Sequence, residues 1–101
     1  MADSRHATES RPAQPMTLAE FRATHAAGGF VRAELLGIGA IFLVVAHARS
    51  GDRIVLVRNS DRRPREFAEA GTALRLVRDT GFARTDVSLE RWEPSQLGMT
   101  R

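Results

Sequence analysis

"AIFLVVAHA", residues 40 to 48, is apolar on both faces of an extended chain and rich in β-branched side chains. Such a stretch belongs at the centre of a sheet. Its apolar run, "AIFLVVA", is far shorter than the roughly 20 residues a membrane-spanning helix needs. On its C-terminal side, "RSGDR" (49 to 53) is a hairpin turn, with Gly51 free to take a positive φ. "IVLV" (54 to 57) follows as a second strand that is apolar on both faces. On its N-terminal side, "GIG" (37 to 39) turns the chain back to "VRAEL" (31 to 35). There Val31, Ala33 and Leu35 face inward, and Arg32 and Glu34 face outward. The pattern predicts a three-stranded antiparallel meander.

Helical signals flank it. Thr17 and Glu20 have capping-box spacing, so a short helix begins at Leu18, with Leu18, Phe21 and His25 on one face and Gly28-Gly29 as its stop. After the meander, Phe67, Ala70, Leu74 and Val77 form an apolar stripe, with Arg75, Arg78 and Asp79 on the other face. Gly81 stands where a C-terminal helix cap belongs. "TDVSLERW" alternates again, with Val87 and Leu89 inward and Asp86, Ser88 and Glu90 outward, and predicts a fourth strand ending near Trp92. The fold class is therefore α+β: a small antiparallel sheet, a covering helix and a short N-terminal helix.

Residues 1 to 15 are polar with two prolines and no apolar period, and are expected to be a disordered tail. Residues 16 to 94 form one domain, and 95 to 101 a second tail. Met16 would also serve as a translation start. No secretory pattern opens the chain, so a cytoplasmic location is expected. Two adjacent strands are apolar on both faces, so both faces of the sheet need a cover. The 67-to-80 helix supplies one cover, and the N-terminal helix is too small for the other. An open apolar face favours self-association, and a homodimer is expected.

The chain has no cysteine, which removes disulfides, thiolate metal sites and thiol nucleophiles together. Its three histidines lie in a tail, a helix and a strand, without ligand-like spacing. Ser50, Asp52 and His47 have the residue types of a triad but crowd a single turn. The carboxylates Asp86 and Glu90 lie on a strand's solvated face, and neither "GG" nor "GIG" is a phosphate-binding fingerprint. No cofactor, metal or catalytic residue is expected.

All 15 basic residues are arginine, set against 12 acidic ones, for a net charge of +3. The charge concentrates in "RNSDRRPREF" (58 to 67). Arg58, Arg62 and Arg63 are its exposed candidates for a partner, acidic protein or DNA. With Arg75 and Arg78 of the helix they would form a phosphate-contacting edge. Asp61 and Glu66 dilute that edge, and Val, Ile and Phe occupy the sheet face where a sheet-based DNA reader carries polar residues. Arg65 and Phe67 are expected to anchor the helix start, with Phe67 buried.

"GGFVRAELLGIGAIFLVVAHA", the hairpin into "LVRNSDRRPREFAEAGTALRLVRDTGF", and "DVSLERWEP" together resemble the small ParC-type partition-associated proteins of bacterial plasmids and integrative elements. The likeness covers residues 30 to 94. Its most telling features are R-x-F at 65 to 67, an alanine–leucine helix ending in "TGF", and a close on W-x-P. It implies an accessory protein of a plasmid partition or maintenance locus, and carries over no site residues. The leading expectation is a non-enzymatic factor that binds a protein partner. A sequence-tolerant DNA-binding module is the alternative, and a small enzyme or toxin-like factor the third reading.

Overall fold

A nine-residue strand, an eight-residue strand and a four-residue strand build the meander, within a computed structural model that describes residues 12–94. In chain order the elements are β1 (Gln14–Met16), α1 (Leu18–Ala26), β2 (Phe30–Ile38), β3 (Ile41–Ala48), β4 (Arg53–Leu56), α2 (Ala70–Thr80) and β5 (Asp86–Ser88). The fold is α+β with one five-stranded sheet in the order β1-β4-β3-β2-β5. β2–β3 and β3–β4 are antiparallel as expected, but both outer pairs, β1–β4 and β2–β5, are parallel. The sheet is therefore mixed rather than antiparallel.

Several boundaries differ from the sequence reading, each for a local reason. Gln14–Met16 pairs with Ile54–Leu56, so the expected tail cannot extend to residue 15; residues 1–11 of that tail, and the tail at 95–101, lie outside the described residues. The turn expected at 37 to 39 shrinks to Gly39 and Ala40, because Gly37 pairs with Phe42 and Ile38 with Ile41. Gly39 makes this two-residue turn at φ 59, a region that strains other residues. Val31, expected inside, is 58% exposed. The register slips between Phe30 and Arg32, and this bulge sends Phe30 into the core in its place.

The main core cluster lies on one face, while Val45 and Val57 are buried on the other. Ala33 and Leu35 of β2, Phe42, Val44 and Ala46 of β3, and Ile54 and Leu56 of β4 meet Phe21 of α1 and Ala73 and Val77 of α2. Both helices therefore cover the same face. α1 begins where its capping box placed it: the Thr17 hydroxyl accepts from the Glu20 N–H, and the Glu20 carboxylate accepts from the Thr17 N–H at 2.8 Å. Phe21 is fully buried and packs against Phe30 at 5.0 Å between ring centroids.

α2 starts at Ala70 instead of Phe67. Phe67 exchanges two backbone hydrogen bonds with Phe42, at 2.8 and 2.9 Å, and so extends the sheet before the helix begins. The buried stripe of α2 is Ala73 and Val77, with Ala70 and Leu76 packed beside it, while Leu74 is 42% exposed. At the C-terminus the Phe82 N–H reaches the Val77 carbonyl and the Gly81 N–H the Arg78 carbonyl, the paired bonds of a Schellman cap. The fourth predicted strand shortens to Asp86–Ser88 on the sheet's far edge, where Val87 and Leu89 stay half exposed. Trp92 returns against the hairpin end, and the Glu93 N–H donates to the Gly39 carbonyl. No helix among the described residues is long and apolar enough to cross a membrane.

Candidate functional site

The stretch from 58 to 67 folds as a tight turn held by its own groups. The Arg58 N–H donates to the Arg63 carbonyl, the Arg62 N–H to the Arg58 carbonyl, and the Arg65 N–H to the Leu56 carbonyl. The Asp61 carboxylate sits at the centre. It accepts from the Arg58 Nε–H and one terminal guanidinium N–H and, at 3.1 Å, from the Arg63 N–H. These bonds from Arg58 first, and then from the Arg63 backbone, lower the Asp61 carboxyl to about 2 from an ordinary 3.8. Arg62 takes a positive φ of 58 and lies 3.7 Å from Glu20 of α1. Arg65 places its guanidinium 5.3 Å from the ring centroid of buried Phe67, which agrees with an anchoring role at the approach to the helix.

The five arginines singled out by sequence do not converge on one surface. Arg58 and Arg63 line a depression of about 410 Å³ together with Pro64, Arg65 and Glu66. Arg62 leans toward α1. Arg78 lines a different groove, about 260 Å³, formed by Leu74 and Val77 of α2 and by Phe82 and Arg84 of the following loop. Arg75 is exposed on α2 and lines neither hollow. Charge matching is extensive: Arg58 with Asp61, Arg62 with Glu20, Arg78 with Asp79 at 3.8 Å and Arg32 with Asp86 at 3.0 Å. Each pair is solvent-exposed and contributes little to stability. Together they dilute the positive field that a phosphate backbone would meet.

The apolar groove was missed in the sequence because its two contributors read as cap and core. Gly81 reverses the chain so that Phe82 folds back over α1. Its ring lies 4.6 Å from His25 and 6.0 Å from Phe30, measured between centroids. Arg84, two residues further on, is exposed and also lines the groove. The one available signal was the apolar residue directly after the cap glycine, which a Schellman motif packs back against its own helix.

The suggested association of His47 with Ser50 and Asp52 is replaced by another trio. The His47 ring lies 2.9 Å from Glu34, whose other carboxylate oxygen accepts from the Ser88 hydroxyl. Burial alone would push the Glu34 carboxyl up, but the bonds from Ser88 and His47 outweigh it and hold the carboxyl below its ordinary range. In a catalytic triad the histidine stands between nucleophile and acid. Here the carboxylate occupies the middle, so the Ser88 proton points to Glu34 and the trio ties β5, β2 and β3 together. Ser50 bonds Asp52 at 3.3 Å within the 49-to-53 turn.

The turn's own acid yields a testable pH dependence. A carboxyl depressed in the fold supports that fold above its unfolded value of 3.8, and the support disappears as pH falls through about 2. A side-chain carboxyl NMR titration of Asp61 is expected to show a midpoint near 2, and Arg58→Ala should return it toward 3.8. An ordinary midpoint in the unmodified protein would mean that the guanidinium–carboxylate fork is open in solution.

No family model matches this chain, and neither curated proteins nor solved structures give a match.

Proposed function

We propose that the protein acts by binding another protein, as a non-enzymatic cytoplasmic accessory factor of a plasmid partition or maintenance locus. The observation that carries the binding mode is the groove between α2 and the loop after it. Leu74, Val77 and Phe82 give it an apolar floor, and Arg78 and Arg84 stand at its edge. Apolar anchors ringed by guanidinium groups fit an acidic amphipathic segment, whose apolar residues fill the floor while its carboxylates meet the arginine forks. The locus itself rests on the resemblance of residues 30 to 94 to ParC-type proteins, which places partition proteins encoded nearby among the first partners to test.

DNA binding is the second reading. It is favoured by Arg58 and Arg63 lining one shared depression, where two cations suit a phosphate. Against it, Arg58 is already forked onto Asp61, and Glu66 lines the same hollow.

Calorimetric titration with the purified neighbouring partition proteins tests the leading reading. The double variant Arg78→Glu, Arg84→Glu is expected to weaken a detected complex by at least about tenfold, since like charges placed against an acidic partner repel. An affinity unchanged by this reversal would remove the groove from the account.

A further inference from the structure

The loop after α2 borders two hollows. Phe82, Ala83, Arg84 and Thr85 line the groove against α2, and the same four residues line a second hollow, about 360 Å³, against Val31, Arg32 and Ala33 of β2. Each hollow holds one large apolar side chain that the fold leaves exposed, Leu74 in the first and Val31 in the second. The charged residues lining the pair are Arg32, Arg78, Arg84 and Asp86. Two of these arginines have an acid beside them: Arg32 lies 3.0 Å from Asp86, and Arg78 lies 3.8 Å from Asp79. Arg84 makes no ion pair or side-chain hydrogen bond with any described residue. It is also the one arginine common to both hollows.

We propose, resting on the reading that the protein binds a protein partner, that Arg84 is the specificity-determining residue of this surface. The partner segment it selects carries a carboxylate flanked by apolar side chains and lies across the 82–85 loop. Its apolar groups enter the hollows at Leu74 and Val31, and its carboxylate meets Arg84 between them. The charge balance selects an acidic segment. Asp86 and Asp79 offset Arg32 and Arg78 within the chain, so the uncompensated charge is the Arg84 guanidinium. A guanidinium is a planar fork that can hold a carboxylate by two parallel hydrogen bonds. Apolar contacts on either side exclude water from such a pair and strengthen it. They also disfavour a nucleic-acid backbone, which offers phosphates and sugars but no apolar side chains to fill the hollows.

Amide NMR of the isotope-labelled full chain tests this with two probes: a short capped peptide carrying one glutamate between two leucines, and the same peptide with glutamine in its place. With the glutamate peptide, amides on both sides of the loop, at 31–33 and at 74–78, are expected to shift together. Glutamine is expected to weaken binding at least about fivefold, since a charged hydrogen-bond partner is lost. Arg84→Gln should abolish that preference, and Arg78→Gln should keep it. Both positions are exposed, so neither change is expected to disturb the fold. A glutamate preference that survives Arg84→Gln, shifts confined to one hollow, or no response to either peptide overturns the proposal. In any of those cases, shifts produced by the neighbouring partition proteins would leave protein binding standing, and their absence would remove that reading as well.

Discussion

Replacing Phe21 with alanine is expected to remove about 3–5 kcal/mol of unfolding free energy, as is usual when a buried phenylalanine is truncated. The ring is fully buried, lies 5.0 Å from Phe30 and 6.3 Å from Phe82, and belongs to the same cluster as Leu35, Val44 and Val77. It is the one fully buried side chain of α1, so its loss both opens a cavity and undocks a nine-residue helix. A helix that short has little stability apart from its packing. The total for a domain of this size is about 5–15 kcal/mol. Urea unfolding followed by circular dichroism measures the change. A loss below about 1 kcal/mol would mean that α1 does not close the core.

Gly37→Val is expected to be nearly as disruptive. A Cβ built at Gly37 would lie 2.6 Å from the Trp92 Cβ, closer than real side chains approach, and a tight 3.2 Å from a Phe42 ring carbon. Neither neighbour yields easily. Phe42 is fixed by its backbone bonds to Phe67, and the Trp92 segment is tied to the hairpin through Glu93 and Gly39. Overpacking of this kind costs about 1–3 kcal/mol, or more where backbone must move. Thermal melts should show a lowered Tm together with a shift in tryptophan fluorescence, because Trp92 is the only tryptophan. Gly37→Val, Trp92→Gly should recover part of the loss, since the second change removes the Trp92 Cβ and ring that the new side chain would meet. An unaltered Tm for the single variant would show that the C-terminal segment is not seated on β2.

These two positions also mark the limits of sequence reading. The meander was legible because its two inner strands are apolar on both faces, and α1 because the Thr17–Glu20 box states its start. Phe21 was recognised as apolar, but its helix was judged too small to cover a sheet face. Periodicity reports which side chains are buried, not which face of the sheet receives them. Gly37 was read as part of a turn because glycine clusters usually break strands, whereas here it admits Trp92 against β2. β1 and β5 were missed or misjudged for a related reason. Each is a three-residue edge strand, so its existence depends on a distant partner and not on its own pattern. The bulge at Phe30 to Arg32 reversed Val31 without any local signal.

The binding surfaces divide in the same way. The arginines announced themselves by number, and all five exposed candidates are polar surface residues in the fold. What composition could not convey was how many already face an acid. Asp61 stands within the loop itself, but Glu20 reaches Arg62 from a helix residue 42 positions earlier, and Asp86 reaches Arg32 from the edge of the sheet. The groove at Phe82 was hidden because a cap residue and a helix residue assemble it only after Gly81 reverses the chain.

The claim that the protein works through a protein partner and not through DNA is tested most directly by fluorescence anisotropy. A labelled duplex is titrated with the unmodified protein at low salt and again at physiological salt, beside the Arg62→Ala, Arg63→Ala variant. The account predicts no saturable binding at physiological salt and the same weak response from protein and variant at low salt. Saturable binding that falls steeply with salt, with the slope reduced by about two units in the double variant, would contradict it and make the arginine turn a phosphate clamp.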